Sequence, residues 1–125
     1  MAACISKLNE CSFCIGAHSA ASALAFNNKE KVDAVLSNLD MAPIDDNLKS
    51  VLRMLRKVTM YPSVEIEDMR KLMDSGISPK QIEDALAVCF AFNVTNRLAD
   101  AFGFEVPDAK SFEAGAKYLL KHGYK

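Results

Sequence analysis

Ser78-Pro79-Lys80-Gln81 opens a segment that continues to Gly103 with no further glycine or proline, and this segment constrains the fold more than any other. A Ser N-cap, a Pro in the first turn and a Gln at the capping-box position make a strong helix start. Gly103 makes a suitable end. Inside the segment, Ala85 to Phe92 is apolar at every position. Periodicity alone leaves such a run open to reading as a buried strand. The capping box and the long uninterrupted span predict a fully buried helix that reaches Phe102 and needs cover on all sides.

The rest of the chain reads as helix after helix. Residues 2–9 form a short helix with Ile5 and Leu8 apolar and Asn9 at its end. A second helix runs from Cys11 to Phe26. It is rich in Ala and Ser, which let helices approach closely, so it should be central; Asn27-Asn28 closes it. A third spans Lys29 to Asn38 with Val32, Val35, Leu36 and Leu39 at helical spacing. Asp45 or Asp46 caps a fourth, whose apolar face carries Leu48, Val51, Leu52, Leu55, Val58 and Thr59 and which Pro62 stops. Ile66, Met69, Leu72 and Met73 mark a fifth, closed by Gly76. Ser111 to Lys121 is the last, after a loop holding Pro107 and before Gly123. No segment alternates as a strand does. The expected fold is all-α, with the six methionines in its core.

A length of 125 residues makes a single domain, 1–125, with enough core to stand without staples. Lys plus Arg is 15 against 16 for Asp plus Glu, which leaves no basic footprint for nucleic acid or an anionic membrane. The longest apolar run is too short to span a bilayer. The N-terminus shows no secretory signal. Four cysteines are too few for a disulfide scaffold, so the expected location is cytoplasmic, where paired cysteines point to redox chemistry or metal.

The chemistry concentrates in Cys11-Ser12-Phe13-Cys14-Ile15-Gly16-Ala17-His18. At 100° per residue, Cys11, Cys14 and His18 share one helix face. Both cysteines fall at the helix start, where unpaired N–H groups and the helix dipole favour a thiolate. A neighbouring His adds to this, and together these effects are expected to depress a thiol pKa. A reactive thiolate with a second thiol one turn away is a dithiol–disulfide pair, and the spacing puts the Cα atoms about 5.5 Å apart, inside the range a bridge accepts. Two other readings stay open. In one, zinc is held by Cys11, Cys14 and His18 with Cys4, Cys89 or His122 as fourth ligand. In the other, the cysteines are merely buried beside a satisfied histidine. Cys4 and Cys89 read as packing among apolar neighbours, His122 as a solvated helix end. Phe92 to Asp100 places Asn93, Asn96 and Arg97 within an apolar helix. These should form a polar knot that fixes helix packing, with Arg97 pairing with Asp100 or with a carboxylate on another helix; alternatively they line the cysteine pocket.

Leu8-Asn9-Glu10-Cys11-Ser12-Phe13-Cys14-Ile15-Gly16-Ala17-His18-Ser19 resembles the active-site motif of the alkylhydroperoxidase AhpD-like proteins, in the carboxymuconolactone decarboxylase superfamily. A second block resembles the peroxidase-related branch. It runs from Asp74-Ser75-Gly76-Ile77-Ser78 through Asn96-Arg97-Leu98-Ala99-Asp100 to Gly103-Phe104-Glu105-Val106-Pro107. The resemblance implies a helical bundle that assembles as a dimer, trimer or hexamer, and reduction of hydroperoxides without metal, flavin or other cofactor. It implies that Cys14 is oxidised by peroxide, that Cys11 resolves it to a disulfide and that His18 relays a proton. A dithiol reductant, such as a lipoyl protein or thioredoxin, resets the pair. The lactone-acting branch that names the superfamily lacks the cysteine pair, so the decarboxylase activity does not transfer. The chain departs from the pattern in being short before the motif. The family's relay glutamate, twelve residues before the first motif cysteine, would fall just upstream of Met1. Phe13 stands where some members carry histidine. Peroxidase turnover is therefore expected to be weak beside dithiol exchange, unless another carboxylate such as Glu65 or Glu67 is brought in. A non-catalytic redox sensor or scaffold is the alternative to an enzyme.

Overall fold

The computed structural model describes residues 1–61 and 63–124. Among these residues there are seven helices and no strand, as the sequence predicts: α1 (Ala2–Leu8), α2 (Ser12–Phe26), α3 (Lys29–Ser37), α4 (Asp46–Met60), α5 (Ile66–Asp74), α6 (Pro79–Ala101) and α7 (Ala109–His122). Pro62, read as the stop of α4, lies outside the described residues; α4 ends at Met60. No helix is long and apolar enough to cross a membrane.

Local chemistry sets the boundaries. Asp45 caps α4 by accepting from the Asn47 and Leu48 N–H groups. Ser78 and Gln81 form the expected reciprocal capping box on α6, and Glu65 and Asp68 form another on α5. Asp108 accepts from Ser111 N–H at 2.8 Å, so α7 begins at Ala109 rather than at Ser111. The α1–α2 junction turns through Glu10 at φ 60°, a left-handed conformation unusual for a side-chain-bearing residue. Two paired bonds, Glu10 N–H to Lys7 C=O and Cys11 N–H to Ser6 C=O, close α1 in the Schellman pattern. The same residue that ends this motif, Cys11, is the N-cap of α2.

The main core lies between α1, α4, α5 and α6 and contains Ile5, Val51, Met54, Leu55, Leu72, Ile82, Ala85, Cys89 and Phe92. α2 packs against α1, α3, α6 and α7, as its small residues predict. Gly16 lets α7 come close: a Cβ there would stand 2.4 Å from the Phe112 ring.

The expectation that α6 is buried on all sides is not met. Its buried residues are Ile82, Ala85, Cys89, Phe92, Asn96 and Ala99, spaced alternately by three and four. The other face stays open, with Phe90 75%, Val94 44% and Leu98 50% exposed. The middle of the helix, Ala85 to Phe92, is apolar all round, but the other helices cover only one seam. For the same reason the methionines are not mainly core. Met54 is buried and Met69 packs against the core, whereas Met1, Met41, Met60 and Met73 are exposed. Val58 and Ile66 also lie outside the faces predicted for them.

Candidate active site

Cys11 and Cys14 are brought together at the start of α2, and His18 follows one turn further along the helix. The Schellman turn of α1 delivers Cys11 with its N–H already bonded to Ser6 C=O at 3.1 Å, and its own C=O accepts from Ile15 N–H at 2.9 Å. Cys14 follows at the third helical position. Both thiols are free and buried, and they pack with Ala99 of α6 and with Phe13. The two cysteine side chains are in contact. Phe13 walls the pair, edge-on to Phe104 at 5.3 Å and tilted to Phe112 at 5.9 Å.

The charge state is the reverse of the expected one. Burial pushes the Cys14 thiol up to about 12; the neighbouring Cys11 and the negative charge of Asp100 push the same way. Desolvation outweighs the helix start, because a thiolate among Ala99, Phe13 and Cys11 loses its water and gains only partial charges in return. At pH 7 Cys14 is therefore held as the thiol. Alkylation of Cys14 in folded, reduced protein is expected to speed up about tenfold per pH unit from 7 towards 11. A quenched-flow pH series on protein with the Cys4 and Cys89 thiols replaced, with label at Cys14 quantified by mass spectrometry, measures it. A plateau near pH 8 would contradict the burial argument.

His18 is half-buried. Burial, and then the positive N-terminus, hold its pKa below the ordinary histidine value. The ring stands edge-on to Phe92 at 4.5 Å and lies 6.3 Å from Tyr124. It hydrogen-bonds to neither thiol among the described residues. Its place one turn beyond Cys14 is as predicted; its effect as a cation that depresses the thiol pKa is absent.

The polar residues of α6 form a structural knot. Asn93 donates to Thr59 Oγ1 at 3.3 Å, to Cys89 C=O at 3.0 Å and to Cys89 Sγ at 3.3 Å, and accepts from Asn9 at 3.1 Å. Buried Ser6 donates to buried Asn96 at 3.1 Å. These bonds tie the end of α1, and so the turn into Cys11, to α6. Arg97 donates to Asn93 C=O at 2.7 Å rather than pairing with Asp100. Asp100 instead faces Cys14 electrostatically. Cys89 packs in the apolar core as predicted, and its sulfur also meets this network, with Thr59 Oγ1 3.5 Å away. His122 stacks on Tyr118 at the end of α7, the solvated helix end the sequence suggests. Among the described residues no cluster of three His, Cys, Asp or Glu side chains is set to hold a metal ion.

Sequence reasoning missed two residues that bear on the site, Asp100 through its charge on Cys14 and Tyr124 through its ring beside His18. Asp100 is one residue from Ala99, which touches the thiols, so its position on the α6 face was available. Tyr124 reaches the site only because α7 packs along α2, and nothing local marks it. A groove of about 750 Å³ opens elsewhere, walled by Lys7, Leu36, Arg53, Arg56 and Tyr61, and neither Cys14 nor His18 lines it. No family model matches this chain, and no curated protein matches it significantly.

Proposed function

We propose that this chain is an AhpD-like thiol oxidoreductase that reduces hydroperoxides through Cys14 and Cys11. The observation that carries the reading is the contact between two free thiols at the cap and first turn of one helix, with a neutral histidine one turn further on. In this cycle a hydroperoxide is attacked by Cys14 sulfur, and His18, being neutral, takes up the thiol proton as attack proceeds. The resulting sulfenic acid is resolved by Cys11 with loss of water. A dithiol, on a lipoyl protein or thioredoxin, then exchanges with the disulfide. The cycle as drawn uses no metal or flavin. A coupled assay following peroxide loss against dithiol oxidation tests it, and peroxide loss that does not depend on Cys14 would sink it.

The raised Cys14 pKa favours one variant of this reading, in which dithiol–disulfide exchange outruns peroxide reduction. Exchange proceeds from either sulfur of the pair, whereas peroxide reduction depends on ionising the buried Cys14.

We also propose that the protein is a homo-oligomer through α6. Phe90, Val94 and Leu98 form a stripe spaced by four, and exposed Phe102, Phe104 and Val106 extend it to the Phe13 wall of the thiol site. A contiguous apolar face of this kind needs cover in water, and a second copy of the same face supplies it. Light scattering at micromolar concentration is expected to give a multiple of the 13.7 kDa chain, and Val94→Lys to lower it. A monomer in the parent protein would overturn the assembly.

A further inference from the structure

Reducing a hydroperoxide requires an acid as well as a nucleophile, because the departing oxygen otherwise leaves as a strongly basic alkoxide. The inference below rests on the reading of Cys14 as the peroxide-reactive thiol. His18 is poorly suited to be that acid. Its lowered pKa leaves the ring neutral at pH 7, ready to accept a proton and not stocked with one to give. Asp100 brings negative charge to Cys14, and a carboxylate in that form has no proton to donate.

Tyr124 meets the requirement. α7 ends at His122, and Gly123 at φ 71° takes the chain out of the helix. The Tyr124 ring then lies 6.3 Å from the His18 ring, tilted by 33°. It is close enough to Cys14 for charge on that sulfur to act on the phenol. With 77% of the residue exposed, its hydroxyl can meet a substrate arriving from solvent. Partial burial, then the Cys14 charge, raise the phenol pKa, so the proton is in place at neutral pH.

We propose that the Tyr124 hydroxyl donates the proton to the leaving oxygen when Cys14 attacks a hydroperoxide. Cys14 sulfur forms a bond to the terminal oxygen of ROOH, and the O–O bond breaks. The sulfur is oxidised by two electrons to the sulfenic acid, and the peroxide is reduced to ROH. The thiol proton passes to His18, the Tyr124 proton passes to the alkoxide, and the imidazolium returns a proton to the phenolate beside it. The sum is Cys14–SH plus ROOH giving Cys14–SOH plus ROH, with Tyr124 and His18 unchanged.

The test compares two oxidants on the reduced full-length protein in single turnovers, following loss of the oxidant. Cumene hydroperoxide expels an alkoxide and needs the proton. Peracetic acid expels a carboxylate and does not. Tyr124→Phe, which keeps the ring, is expected to slow cumene hydroperoxide by about 10²-fold, the usual worth of a positioned acid, and peracetic acid by far less. Tyr118→Phe, six residues earlier and 58% exposed on α7, is the control and should change neither rate. Equal losses of Tyr124→Phe with both oxidants would mean the ring only shapes the site, and no loss with either would mean it takes no part; both overturn the proposal. Parent protein that reacts with neither oxidant faster than Cys14→Ser does would instead overturn the peroxide-reactive role of Cys14, and the proposal with it.

Discussion

Cys14→Ser is expected to lower hydroperoxide consumption by at least about 10³-fold, because it replaces the thiol nucleophile with an alcohol that is far less acidic and far less reactive towards peroxide oxygen. Cys11→Ser should behave differently. It keeps the attacking sulfur and removes the resolving one, so a single oxidation should stop at a Cys14 sulfenic acid that dimedone traps and mass spectrometry locates. The parent protein should instead show one Cys11–Cys14 disulfide, reversed by mild reductant. Burial favours this order of events. Cys11 is 0% exposed and Cys14 3%, and Asp100 and Tyr124 both feel Cys14. A sulfenic acid trapped on Cys11 in the Cys14→Ser protein would reverse the two roles.

The largest expected loss of stability is at Leu55. It is 1% exposed and packs in the core that joins α1, α4, α5 and α6. Leu55→Ala removes buried methyl and methylene groups and leaves a cavity that helices held from four directions cannot collapse, at a cost of about 2–5 kcal/mol. For a domain of this size that lowers Tm by roughly 8–20 °C. Val58→Ala, one turn on, supplies the contrast. The sequence puts Val58 on the same apolar face, but it is 38% exposed, so its loss should cost under about 1 kcal/mol. Thermal unfolding of the two variants side by side decides the matter; equal shifts would mean that Leu55 is not at the centre of the core.

These two residues show where reading the sequence stops. The α4 pattern of Leu48, Val51, Leu52, Leu55 and Val58 is a correct helix signal, and the cap at Asp45 and the end near Pro62 bracket it within a residue or two. The width of the buried stripe is another matter. It depends on how many neighbours reach the helix, and only Val51, Leu52, Met54 and Leu55 are covered. α6 repeats the lesson on a larger scale. Its start at Ser78, the Gln81 box and the Gly103 end were legible, because each is a contact between residues at most four apart. Which of its apolar faces would be buried was not, because every face of its middle is apolar and the choice is made by α1 and α4.

The candidate site divides in the same way. The Cys11, Cys14 and His18 spacing by itself determined that two thiols and an imidazole would gather on the first turns of α2, since helical geometry fixes the angular offsets once the helix exists. It also determined the all-α fold, because capping and periodicity act within a few residues. Tertiary structure alone decided the sign of the Cys14 pKa shift, the exposure of half of α6, and the arrival of Asp100 and Tyr124 at the site. Each of these turns on desolvation or on charge brought from far along the chain. A helix dipole is a local property that the sequence announces, while the loss of water around a sulfur depends on Ala99, 85 residues away, and on the packing that carries it there.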